Sequence, residues 1–137
     1  MDNPRALLTL AAIALLQACA SGGMYDQPYA LIQPDQRSAT QDTRAAFVLA
    51  IDGANRGITD NYPVPPGVRT VKVSVPGERA MAQSIYKTIE IDAKACTRYY
   101  LSAKEGVRGS GDWTPFVSFT EPIGECQKKF GSTSSAK

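Results

Sequence analysis

A small all-β sandwich is the fold the sequence predicts, and three observations predict it. From Arg44 onward apolar residues recur with a period of two, the runs are four to eight residues long, and glycine or proline separates them. A chain of 137 residues is long enough for one modest domain and too short for two.

Each element follows from its own residues. Phe47, Leu49 and Ile51 alternate and are expected on the inner face of a first strand, which Asp52-Gly53 turns, a pair that tolerates positive φ. A short second strand is expected around residues 57–59. Residues 62–64 form a third, stopped by Pro65-Pro66-Gly67, where proline fixes φ and glycine supplies the corner. Residues 68–75 (VRTVKVSV) have the cleanest alternation, with Val71, Val73 and Val75 inward and Thr70, Lys72 and Ser74 outward. After a loop over 76–84, with a short helical turn as its alternative over 78–86, residues 85–91 set Ile85, Ile89 and Ile91 inward, with Lys87 at an edge or snorkelling. The strand over 96–103 places Tyr99, Leu101 and Ala103 opposite Arg98, Tyr100 and Ser102. A polar turn over 105–112 (EGVRGSGD) leads to a strand over 113–120, in which Pro115 favours an edge. Residues 121–126 return the chain towards Cys96, and residues 127–137 read as a frayed polar tail. About seven short antiparallel strands in a domain over residues 44–130 fit a prealbumin-like or Ig-like sandwich.

Composition removes several kinds of chemistry. There is no histidine, so a Ser-His-Asp or Cys-His nucleophile, a histidine-ligated metal and a histidine pH switch are all excluded. A net charge of +2, with basic residues scattered mostly singly, does not suggest nucleic acid. Asp52, Asn55, Asp60 and Asn61 lack the spacing of a calcium loop and read as turn residues. Glu90 and Asp92 sit two apart on an outward strand face, and Glu121 and Glu125 flank a Pro-Ile-Gly turn, so neither is a convincing acid–base pair. The glycine cluster over 106–111 lacks the lysine and the helix of a phosphate loop. No metal, cofactor or catalytic residue is assigned, and the chain is read as a non-enzyme. Tyr86, Tyr100 and Trp113 are the candidate binding surface, because such rings suit saccharide faces or protein contacts; a core position is the competing and favoured account of Trp113.

The N-terminal residues carry a single Arg5, an apolar run over 6–16 (ALLTLAAIALL), and then Leu16-Gln17-Ala18-Cys19. A run of this length is too short for a bilayer span, which needs about 20 apolar residues, and has the shape of a secretory signal. The segment resembles that of a bacterial lipoprotein precursor, with Leu16, Ala18 and Cys19 matching the lipobox. That resemblance implies a signal peptide over 1–18, lipidation of Cys19, and a periplasm-facing position on the outer membrane, since the following Ala20 is not the aspartate of inner-membrane retention. Residues 19–43, rich in Gly, Pro, Gln, Asp and Ser, read as a flexible tether. The apolar group Tyr25, Tyr29, Leu31 and Ile32 supports a second reading, in which this stretch docks as an extra edge strand.

With Cys19 assigned to lipid, Cys96 and Cys126 remain, and an oxidising compartment makes a disulfide their simplest state. A closed loop of about 30 residues contributes on the order of 3.5 kcal/mol in the chain-entropy model. No C-x-x-C spacing supports a redox pair. Ile51-Asp52-Gly53, Gly57, Pro66-Gly67, Val71 and Val73 are similar to the turn and core positions of PEGA-type and carboxypeptidase-regulatory-like modules, small envelope sandwiches without an active site. The expected function is that of a non-enzymatic, lipid-anchored interaction or assembly module of the cell envelope with a protein partner; the alternative is a module that binds glycan or peptidoglycan through exposed aromatics.

Overall fold

The computed structural model describes residues 22–37, 40, 42–57, 61–75, 86–107 and 110–131. Alternating apolar residues and tight turns build nine strands here: β1 (Ala30–Pro34), β2 (Thr43–Ala45), β3 (Phe47–Ile51), β4 (Ala54–Asn55), β5 (Tyr62–Val64), β6 (Gly67–Ser74), β7 (Tyr86–Ala93), β8 (Thr97–Glu105) and β9 (Trp113–Pro122). A 3-10 turn (Met24–Asp26) precedes β1, and one short helix, α1 (Gly124–Phe130), follows β9.

The strands form two sheets, as expected for a sandwich. One has the order β4-β3-β6-β7 and is antiparallel throughout. In the other, β9 runs antiparallel along one edge of β8, while β1 and β2 share the opposite edge. β1 pairs with Arg98 to Leu101 in parallel and β2 with Ser102 to Lys104 antiparallel; β5 closes the sheet outside β1. The β1–β8 pair is the departure from an all-antiparallel design. The Asp52-Gly53 turn joins β3 to β4 with both residues at positive φ, 50° and 79°, as its sequence predicts.

Ile32, Ile51, Val64, Val71, Val73 and Leu101 fill the space between the sheets, and Ile91, Tyr99 and Trp113 extend that core. A second apolar cluster lies on the outer face of the five-stranded sheet, where Tyr29, Leu31, Ile123, Phe130 and the cysteines pack under α1. β1 therefore contributes to both: Ala30 and Ile32 point into the main core, and Leu31, with Tyr29 just before the strand, into the second cluster. Burial on both faces explains why YALI is continuously apolar instead of alternating.

Four expectations change. The stretch assigned to the tether contains β1, an interior strand and neither linker nor edge, so the folded unit begins well before residue 44. Phe47 is exposed and Leu49 only half buried, because the register shifts between Val48 and Ala50 and turns Val48 and Ile51 inward. A short strand falls at Ala54–Asn55, earlier than the one expected around 57–59, of which Gly57 is in no strand and residues 58 and 59 lie outside the described residues. Residues 127–130, expected at the start of a frayed tail, belong to the helix Gly124–Phe130. The signal-like segment over 1–18, Cys19, the 78–85 part of the proposed helical turn, Ile85 and residues 132–137 lie outside the described residues.

Candidate functional site

Tyr86, Tyr100 and Trp113 do not form one surface. Tyr86 opens β7 with 48% of its surface exposed, whereas Tyr100 and Trp113 are 7% and 8% exposed. Trp113 joins the main core, as its competing reading held, and Lys87 Nζ lies 5.5 Å from its ring. Lys87 comes from the inner face of β7, opposite Val73, and reaches across to the other sheet to bond Asp112 Oδ1 at 2.5 Å. That bond, together with the Trp113 amide, holds the Asp112 carboxyl below its usual pKa range. A snorkelling lysine thus latches the two sheets at this corner.

Tyr100 is buried on the outer face of the five-stranded sheet, within a polar network. Its hydroxyl donates to Glu121 Oε1 at 2.5 Å, and Arg98 Nη1 donates to the same oxygen at 2.8 Å. Those two bonds, the tyrosine's foremost, keep the Glu121 carboxyl below its usual range. The Arg37 guanidinium sits 4.2 Å above the Tyr100 ring and 5.1 Å from that of Phe119. Arg37 is carried there by the segment after β1, which Asp35 fastens: buried at 4% exposure, it accepts hydrogen bonds from the Arg37 amide and, at 2.7 Å, from Ser118 Oγ. Phe119 stands beside this network 48% exposed.

Sequence alternation missed Phe119 for a physical reason. Counting by twos from Trp113 puts Phe119 on the inner face, but the ladder shifts between Tyr100 and Leu101, so Val117 faces inward and Phe119 pairs with Tyr100 outside. The same kind of shift exposes Phe47, which pairs with Ser74, itself paired with Tyr86. Phe47 and Tyr86 therefore flank Ser74 on one sheet face, two strand spacings or about 9.6 Å apart. Lys72, also exposed, places Nζ 4.8 Å from the Tyr86 ring. No signal in a single sequence marks these bulges.

Cys96 and Cys126 form the expected disulfide, with Cα atoms 5.2 Å apart. Cys96 has φ of 56°, and its amide donates to Tyr29 O at 2.7 Å, so the β7–β8 turn, β1 and α1 meet at this bridge. The remaining shifted carboxylate, Asp52, accepts from the Thr70 amide and Arg69, which lower its pKa in that order. Asp52, Asp112 and Glu121 are thus held ionised as acceptors within the fold, and their chemistry is that of a hydrogen-bond clamp. Among the described residues no cluster of three or more metal-ligating side chains occurs, and no helix is long and apolar enough to cross a membrane. Compared with protein-family models, curated proteins and solved structures, the chain matches none.

Proposed function

We propose that this protein is a non-enzymatic interaction module, held to the periplasmic face of the bacterial outer membrane by lipid on Cys19. The observation that carries the reading is the apolar run over 6–16 ending in Leu16-Gln17-Ala18-Cys19. The Cys96–Cys126 disulfide supports it, since such bonds persist in oxidising compartments. The exposed aromatics Phe47, Tyr86 and Phe119 are the surfaces offered to an envelope protein.

The test is mass spectrometry of the N-terminal peptide from membranes of cells fed a palmitate analogue, combined with crosslinking in living cells. Acylated Cys19 and a defined protein partner, both lost in Cys19→Ala, are expected. A Cys19→Ala protein that keeps the full set of partners would overturn the role of the anchor.

A second reading, glycan contact, is favoured by the Phe47–Ser74–Tyr86 row, where two exposed rings flank a small polar residue. Its test is cosedimentation of the folded unit from residue 22 onward with purified sacculi. Binding should fall to background in Phe47→Ala/Tyr86→Ala; equal pelleting of both proteins would count against it.

A further inference from the structure

The folded unit starts very close to Cys19. Gly23 already donates its amide to Asp26 Oδ2 at 2.8 Å, and Lys129 of α1 bonds Tyr25 O at 3.0 Å and Asp26 Oδ1 at 3.3 Å. Four residue steps separate Cys19 from Gly23, which a fully extended chain spans in at most about 14 Å. A chain tied so early cannot let the domain roam as a tether of some two dozen residues would.

The end of the sandwich that carries this attachment has a definite composition. Tyr25 is 49% exposed and packs edge-on against Tyr29 at 4.9 Å between ring centroids. Lys128 and Lys129 project from α1, and Lys94 from the neighbouring β7–β8 turn, all exposed. Tyrosine rings and lysine stems suit the headgroup layer, where one end of the side chain is apolar and the other wet. The opposite end, with Glu105 and the β8–β9 turn, lies a further eight strand residues away, or about 26 Å.

We infer that the end formed by the 3-10 turn and α1 is seated against the lipid surface that anchors Cys19, with Tyr25, Lys128 and Lys129 at the headgroups. The β8–β9 turn and the corner bearing Trp113 then point away from the leaflet. The inference rests on the anchor proposed above and adds an orientation: lipid fixes which end of the sandwich a partner meets. The length of chain between Cys19 and the fold is what holds it, because Asp26 and Glu125 offset much of the local positive charge.

The single tryptophan makes the orientation measurable. The chain from residue 19 onward, disulfide intact, is coupled through the Cys19 thiol to a maleimide phospholipid in phosphatidylethanolamine/phosphatidylglycerol vesicles that contain headgroup-spin-labelled lipid. Trp113 fluorescence should be almost unquenched. In Tyr25→Trp/Trp113→Phe, the indole at position 25 should lose most of its emission. Inserting a 20-residue Gly/Ser linker after Ser21 should restore it. Equal quenching at both positions, or quenching of position 25 that survives the linker, overturns the inference. Circular dichroism of the double variant before coupling establishes that it is folded. Since the lipid is attached chemically, this result is independent of whether cells acylate Cys19, so failure of the orientation and failure of the anchor are told apart.

Discussion

Asp35 shows how one buried carboxylate can organise a surface. It accepts from the Arg37 amide and from Ser118, which sits at the register shift of β9, so a single residue fixes both the segment after β1 and the bulge. Asp35→Ala would remove two hydrogen bonds to a buried carboxylate, leaving the Arg37 amide without this acceptor and the Ser118 hydroxyl with Tyr100 O at 3.1 Å, at a cost of about 1–3 kcal/mol. Urea denaturation should show that loss with an unchanged m-value, and Asp35→Asn, which keeps an acceptor oxygen, should lose less. The paired carboxylates give a pH dependence of known sign. Asp52, Asp112 and Glu121 have folded pKa values below their ordinary ones, so their stabilisation is complete above the ordinary carboxylate pKa and is lost as pH falls through the folded values. Thermal melts from neutral pH down to about pH 3 should show a declining Tm, more shallowly in Asp112→Asn/Glu121→Gln, whose amides do not titrate there. An acid slope unchanged in that variant would place the acid sensitivity elsewhere.

At the scale of elements, β9 is the exposed edge that needs protection, because among the described residues it pairs only with β8. The Glu105 amide donates to Asp42 O and Leu101 O accepts from the Asp35 amide, so alternate residues of β8 turn their backbone towards β1 and β2. Their partners on β9, including Pro115 and Pro122, turn theirs towards the free edge. Two donors are therefore missing where another strand would pair. Pro115→Thr/Pro122→Thr restores them, and sedimentation velocity should detect concentration-dependent association absent from the parent; two strictly monomeric proteins would mean that the prolines do not guard this edge. The edge role of Pro115 is legible in sequence because proline's missing N–H is a local property. The β6 alternation and the Asp52-Gly53 turn are legible for the same reason. The positions of Phe47 and Phe119 are not, since a bulge is set by the partner strand. α1 left a faint signal, Ile123, Cys126 and Phe130 at helical spacing, across the boundary between a return segment and a polar tail.

For the whole molecule, β1 decides whether there is a closed fold at all. It lies between β8 and β5, carries side chains into both apolar clusters, and accepts the Cys96 amide through Tyr29 O beside the disulfide. No local pattern announces it, because its pairing with β8 joins residues separated by about half the chain, and its continuous apolarity is as compatible with a sticky tether as with a strand buried on both faces. A chain beginning at residue 22 contains every described element; one beginning at residue 36 lacks β1 and leaves Ile123, Leu101 and Val64 facing water where Leu31 and Ile32 had been. Burying one such aliphatic side chain is worth about 1.5–3 kcal/mol, so the loss of Leu31 and Ile32 alone approaches the stability of a small domain. The disulfide cannot compensate, since it closes only the 96–126 loop and stabilises by constraining the unfolded chain within it. The chain from residue 22 should therefore melt cooperatively with dispersed amide resonances, and the chain from residue 36 should give the narrow dispersion of an unfolded polypeptide even when oxidised. Native-like dispersion in the shorter chain would show that the sandwich closes without β1, and the domain boundary would return to residue 44.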